Sequence, residues 1–168
     1  MNLHYLTYGS NLHPMRLRKR IPSASLVGTI ELPNRVLSFN KRSQDGSGKC
    51  TIAGADSSQS VFGAIYEIDP QEKPLLDRIE GVDAGYDVNW EDLLVNDART
   101  RTFMYVASSG FVDEKLLPYR WYKDLVLAGA RYHRFPADYI EVLEAVGAVG
   151  DPDEKRRKAN KAILAELP

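Results

Sequence analysis

The chain has 168 residues, 43% of them apolar and 27% charged, and its 22 Lys and Arg against 23 Asp and Glu give a formal net charge of −1. Such a length points to one domain over residues 1–168, able to bury a core without disulfide or metal, and so small a charge supplies no field to draw in nucleic acid or an anionic membrane. No stretch reaches the length and apolarity of a membrane span, Met1-Asn2-Leu3-His4-Tyr5 lacks the marks of an export signal, and one cysteine, Cys50, cannot close an internal bridge. A cytoplasmic, reducing setting is the expectation.

In chain order, Leu3 to Tyr8 predicts a short strand, broken by Gly9-Ser10-Asn11 before Pro14 opens a basic helix that runs to about Arg20. Short strands are expected at Leu26 to Leu32, Arg35 to Asn40, Cys50 to Ala55 and Val61 to Ile68. In the last of these both faces carry apolar residues, which predicts cover on both sides. Asp69-Pro70-Gln71-Glu72 is a helix start with an Asp cap, although Pro74 delays the regular part and Gly81 ends it. Two more strands follow, Tyr86 to Val95 and Thr100 to Ser108, then helices over Tyr119 to Tyr132, Ala137 to Val146 and Asp153 to Leu167. Strands precede helices without alternation, so the class is α+β with a mixed or antiparallel sheet.

Two basic runs, Arg16-Leu17-Arg18-Lys19-Arg20 and Lys155-Arg156-Arg157-Lys158, fall in predicted helices and read as solvated faces; Asp151, Asp153 and Glu154 balance the second. Cys50 lies beside Lys49, which could lower a thiol pKa, but a lone cysteine of this kind reads as inert.

Two features carry chemistry. Leu75, Leu76 and Ile79 form the expected apolar stripe of their helix, and Glu80, four residues after Leu76, stands at its edge in the last turn. Partial burial and the negative helix end both work against ionisation there, which suits a group that takes and returns a proton. Position alone favours an exposed glutamate before a capping glycine. In the loop Tyr8-Gly9-Ser10-Asn11, a strand that stops at glycine leaves consecutive N–H groups free for a carboxylate or an oxyanion. Ser10 is outside any G-x-S-x-G elbow, because position 8 is Tyr and position 12 is Leu.

Leu6-Thr7-Tyr8-Gly9-Ser10-Asn11-Leu12, Arg78-Ile79-Glu80-Gly81-Val82 leading to Gly85-Tyr86, and Trp121-Tyr122-Lys123 before Gly129-Ala130 together resemble the gamma-glutamylcyclotransferase family. Phe39-Asn40-Lys41-Arg42-Ser43 with Asp45-Gly46-Ser47-Gly48 extends the similarity to bacterial members and to nearly the whole chain. The resemblance implies a small mixed or antiparallel β-barrel flanked by helices, with the loop and the glutamate facing each other across a pocket. It assigns Glu80 as acid/base, Tyr8, Gly9, Ser10 and Asn11 to substrate binding, and Tyr86 and Tyr122 to the pocket lining. Core packing remains the other reading for each of these tyrosines. Gly129-Ala130 is expected to permit close packing.

The implied reaction releases 5-oxoproline from a small-molecule gamma-glutamyl amide by attack of its own alpha-amine on the gamma-carbonyl. It needs no metal, nucleotide or flavin. His4, His13 and His133 are too widely spaced to suggest a metal site, and no dinucleotide or phosphate-loop motif occurs. Alternatives in view are a relative acting on glutathione, a gamma-glutamylamine or a biosynthetic intermediate, a serine hydrolase using Ser10, and a non-catalytic binding module on the same fold. The last helix could pack on the sheet or on a second copy of the chain, which leaves a homodimer open.

Overall fold

The computed structural model describes residues 1–56 and 58–168. Its elements are β1 (Leu3–Thr7), α1 (Pro14–Arg20), β2 (Ser25–Pro33), β3 (Arg35–Arg42), β4 (Gly48–Gly54), β5 (Ser60–Ile68), α2 (Lys73–Glu80), β6 (Tyr86–Val95), β7 (Ala98–Ala107), α3 (Arg120–Tyr132), α4 (Ala137–Ala145) and α5 (Glu154–Ala165). A 3-10 turn, Pro70–Glu72, precedes α2, with the Asp69 side chain accepting from the Gln71 N–H. Pro74 therefore lies in the first turn of the regular helix, where its missing N–H costs nothing.

Five strands form one sheet in the order β2-β5-β1-β7-β6, and β3 and β4 form a separate hairpin. β1 runs antiparallel to β5 and parallel to β7, so the sheet is mixed. The sheet is open and does not close on itself, which corrects the expected barrel. Its edges are β2 and β6, and among the described residues the β3–β4 hairpin joins neither of them. The β6–β7 connection is a two-residue turn at Asn96-Asp97, both with positive φ (48° and 64°), the backbone that matches strand twist in a tight hairpin.

β1 is the spine. Tyr5, Leu6 and Thr7 are all buried, because neighbours flank the strand on both edges and side chains cover both faces. The two-sided burial expected for β5 is also observed, with Val61, Ala64, Ile65, Tyr66 and Ile68 inside. Helix α3 presents Leu125, Val126, Gly129 and Ala130 to this core. Gly129 lies so close to the segment after β1 that an added Cβ would fall 2.3 Å from the Leu12 Cβ and 2.9 Å from the His13 nitrogen. The expected close packing at this glycine is therefore real, and it fixes the loop that leaves β1.

The second basic run is less free than expected. The Asp151 carboxylate is fully buried and accepts from the Trp121 indole at 2.8 Å and from Arg156 at 2.7 and 2.6 Å, so Arg156 anchors α5 to α3. Lys158 pairs instead with Glu154 in solvent.

Two outcomes follow. Gly129→Ala should lower unfolding free energy in urea by about 1–3 kcal/mol, the usual cost of overpacking; an unchanged midpoint would contradict the close contact. The Arg156 hydrogen bonds hold the Asp151 carboxyl down to about 2. A depressed folded pKa means that its contribution is full above the unfolded value of about 4 and is lost as pH falls toward 2. Acid unfolding should thus be steeper between about pH 4 and 2 in the wild type than in Asp151→Asn.

Candidate active site

β1 ends at Thr7, and Tyr8 carries the chain to a turn in which the Leu12 N–H donates to the Gly9 carbonyl at 3.1 Å. Among the described residues the N–H groups of Ser10 and Asn11 have no acceptor. They are the free donors at a strand end that an anion can use. Gly9 passes close to the β4 backbone: an added Cβ would lie 3.2 Å from the Cys50 Cβ and 3.4 Å from the Tyr122 hydroxyl. Across the cleft, Gly81 adopts a left-handed conformation with φ of 78° and caps α2, which leaves Glu80 in the last helical turn.

The two features meet. The Asn11 side-chain amide donates to Glu80 Oε1 at 2.8 Å, and Arg20 donates to the same oxygen at 3.3 Å and to Asn11 Oδ1 at 3.0 Å. Asn11 also donates to the Tyr5 hydroxyl at 3.2 Å. The Glu80 side chain is 19% exposed, so it is held from one side and open to the cleft on the other. Tyr8, Gly9, Ser10, Asn11, Glu80, Tyr86 and Tyr122, the residues singled out in the sequence, all line this one cleft.

The tyrosines build its walls. The Tyr86 hydroxyl donates to the Cys50 carbonyl at 2.5 Å, the Cys50 N–H donates to the Tyr122 hydroxyl at 3.1 Å, and the Tyr8 hydroxyl donates to the Tyr105 carbonyl. Burial raises the pKa of Tyr8, Tyr86 and Tyr122 well above the usual phenol value, so all three are neutral at working pH. For Tyr122 the pocket and core readings are both met: it is buried, packs edge-on against Phe39 and still faces the cleft.

Several expectations need correction. Only Leu76 of the α2 stripe is buried; Leu75 and Ile79 are each 38% exposed, because this eight-residue helix turns only one of its apolar positions fully inward. The first basic run is not a solvated face. Arg16 is buried and Arg20 reaches Asn11 and Glu80, since a helix of seven residues turns two of its four cations toward the cleft. Tyr5, Tyr105 and Lys41 also face the cleft or its mouth; no local sequence signal marks the two tyrosines, and Lys41 lies in the Phe39–Ser43 segment of the resemblance without being singled out there. Ser10 has no histidine partner: the His13 ring caps α1 through Nδ1 and lies 4.6 Å from the Tyr132 ring. Among the described residues no three His, Cys, Asp or Glu side chains gather as metal donors, and no helix is long and apolar enough to cross a membrane.

Comparison with known proteins relates the chain as a whole to others. The model of the AIG2-like family matches residues 60–143. Gamma-glutamylcyclotransferase from Homo sapiens is 26% identical over 164 residues, spanning 95% of this chain and 84% of its own length, and the Bos taurus protein of the same name is 24% identical over the same span. A solved structure of a gamma-glutamyl cyclotransferase superposes with a TM-score of 0.81 at 24% identity, covering 96% of this chain and 99% of its own.

Cys50 tests the packing of the cleft. It is buried, and burial pushes its thiol up to about 12. Iodoacetamide at about pH 8, below the ordinary thiol value, should leave the native protein unlabelled and label it fully once it is unfolded. Native labelling at the rate of a free thiol would mean that the Gly9–Cys50 contact is open.

Proposed function

The chain belongs to the AIG2-like family, and from that premise we propose that it is a gamma-glutamylcyclotransferase, with Glu80 as acid/base and the Tyr8–Asn11 loop as the cradle for the glutamyl group. The observation that carries this reading is the 2.8 Å hydrogen bond from Asn11 to Glu80, which sets a carboxylate at the lip of a turn whose Ser10 and Asn11 N–H groups have no acceptor among the described residues. The names of the relatives, across 95% of the chain, support the same reaction.

The chemistry follows from the substrate. The Ser10 and Asn11 N–H groups hold the alpha-carboxylate of the gamma-glutamyl unit, which folds the chain so that its amine lies over its own gamma-carbonyl. Glu80 takes a proton from the amine as the new N–C bond forms. When the tetrahedral species collapses, the same carboxyl returns the proton to the departing nitrogen. The products are 5-oxoproline and a free amine or amino acid, and no water is consumed. Every group this route uses comes from the chain, with no cofactor. Tyr86 and Tyr122, neutral and tied to the Cys50 backbone, serve as fixed walls that limit the glutamyl unit to one pose.

A binding module on the same fold is the second reading, and Glu80 argues against it. A site meant only to hold a carboxylate gains nothing from a second carboxylate beside its donors. We further place the protein in the cytoplasm, treat residues 1–168 as one functional unit, and take a small gamma-glutamyl compound as its partner.

The test is release of 5-oxoproline, measured by mass spectrometry, from gamma-glutamyl amino acids, glutathione and a gamma-glutamylamine. Wild-type protein should yield product from at least one compound, and Glu80→Gln should be slower by about 100-fold or more, the scale of general acid–base catalysis. Product from both proteins at similar rates would remove Glu80 from its role. Binding without turnover, unaffected by Glu80→Gln, would establish the binding module instead.

A further inference from the structure

A second chamber, of about 130 Å³, adjoins the cleft at its mouth and shares Ser10, Glu80, Tyr86 and Tyr122 with it. Four cations converge there: Arg16, Arg20, Lys41 and Lys49. Two have partners, since Arg20 pairs with Glu80 at 3.3 Å and Lys49 with Asp45 at 2.9 Å. The other two are the more deeply buried. Arg16 and Lys41 are each only 4% exposed, and among the described residues the Arg16 Nε has no hydrogen-bond partner and neither side chain pairs with a carboxylate. Removing a cation from water without a counter-charge is costly. Two such groups around one small chamber form a preset receptor for negative charge.

The chain goes to some length to place Lys41 there. A β-bulge between Ser38 and Lys41 interrupts the β3–β4 register, and within it the Asn40 carbonyl accepts from the Asp113 N–H at 2.9 Å. Bulges re-aim a side chain, often beside a site. The Lys41 stem then crosses Gly85, where an added Cβ would fall 2.8 Å from its Cε, and the ammonium comes to rest 4.3 Å from the Tyr86 ring centroid. Burial lowers the pKa of both cations, Arg16 to about 9, and an anion in the chamber would relieve that strain.

We propose that this chamber is the leaving-group subsite, and that Lys41 and Arg16 determine specificity by binding the carboxylate of the amino acid or peptide that departs. The inference rests on the cyclotransferase reading. With the glutamyl unit in the Tyr8–Asn11 cradle and its gamma-carbonyl facing Glu80, the substituent on the gamma-nitrogen has to pass the shared wall of Ser10, Glu80, Tyr86 and Tyr122 into the outer chamber. A leaving group that carries a carboxylate supplies the direct ion pair that neither cation has. A plain amine leaves both cations buried and unpaired, so gamma-glutamylamines are poor substrates.

The experiment compares gamma-glutamyl-L-alanine with gamma-glutamylethylamide, which differ only by the leaving-group carboxylate. The wild type should favour the alanine compound in kcat/KM by at least about 10-fold, the effect of leaving a buried charge unpaired. Lys41→Met and Arg16→Gln, each checked for folding by circular dichroism, should bring that ratio down toward about 1. A wild-type ratio near 1 overturns the proposal without recourse to any variant, and so does a ratio that both variants leave intact. If neither compound releases 5-oxoproline, the cyclotransferase reading fails separately, and calorimetric binding to the wild type decides the subsite. Binding of the alanine compound at least about 10-fold tighter than the ethylamide keeps the anion site; equal or absent binding ends it.

Discussion

The site depends on one constraint: the Glu80 carboxylate is held by donors that lie 69 and 60 residues away in the chain, Asn11 and Arg20. Asn11 is fixed by the turn after β1, Arg20 by the end of α1 and Glu80 by the end of α2. Three element ends converge on one carboxylate. The parallel pairing of β1 with β7 and its antiparallel pairing with β5 make β1 the central strand of the sheet, so the loop leaving it is well placed as a rigid cradle.

The cluster contributes little to stability and much to geometry. The Arg20–Glu80 pair is part-exposed, with side chains 29% and 19% accessible, and such pairs are worth no more than about 1 kcal/mol. Its effect is to fix where the carboxylate points, while the remaining opening leaves the group accessible to a substrate. The stability that holds the arrangement comes from elsewhere: the buried faces of β1 and β5, and the glycine-mediated contact of α3 with Leu12 and His13. A cleft walled by buried tyrosines whose hydroxyls are tied to backbone groups is stiff, and stiffness is what an intramolecular cyclisation requires. The substrate already carries both reacting groups, and only its conformation has to be imposed.

Much of this was legible in the residues. Strand and helix positions followed from alternation, caps and glycines, and the delayed start of α2 followed from Pro74. The two motifs around Ser10 and Glu80 are contiguous in sequence, so each could be read locally. What escaped reading was set by tertiary contact. Arg16 and Arg20 sit in a run of charges that any surface helix could carry, and only the docking of α1 beside the cleft turns them inward. Lys41 is directed by a bulge, and a bulge has no composition of its own. The apolar stripe of α2 misled because the short helix sinks only Leu76 into the core and leaves Leu75 and Ile79 partly exposed. The open sheet differs from the expected barrel because β3 and β4 pair with each other and not with the edges of β2 and β6.

The most direct measurement is a crystal structure of Glu80→Gln soaked with gamma-glutamyl-L-alanine. The account predicts the alpha-carboxylate against the Ser10 and Asn11 N–H groups, the alpha-amine beside the side chain at position 80, and the alanine carboxylate between Lys41 and Arg16. A glutamyl unit bound outside the Tyr8–Asn11 loop, or with its amine turned away from position 80, would contradict it.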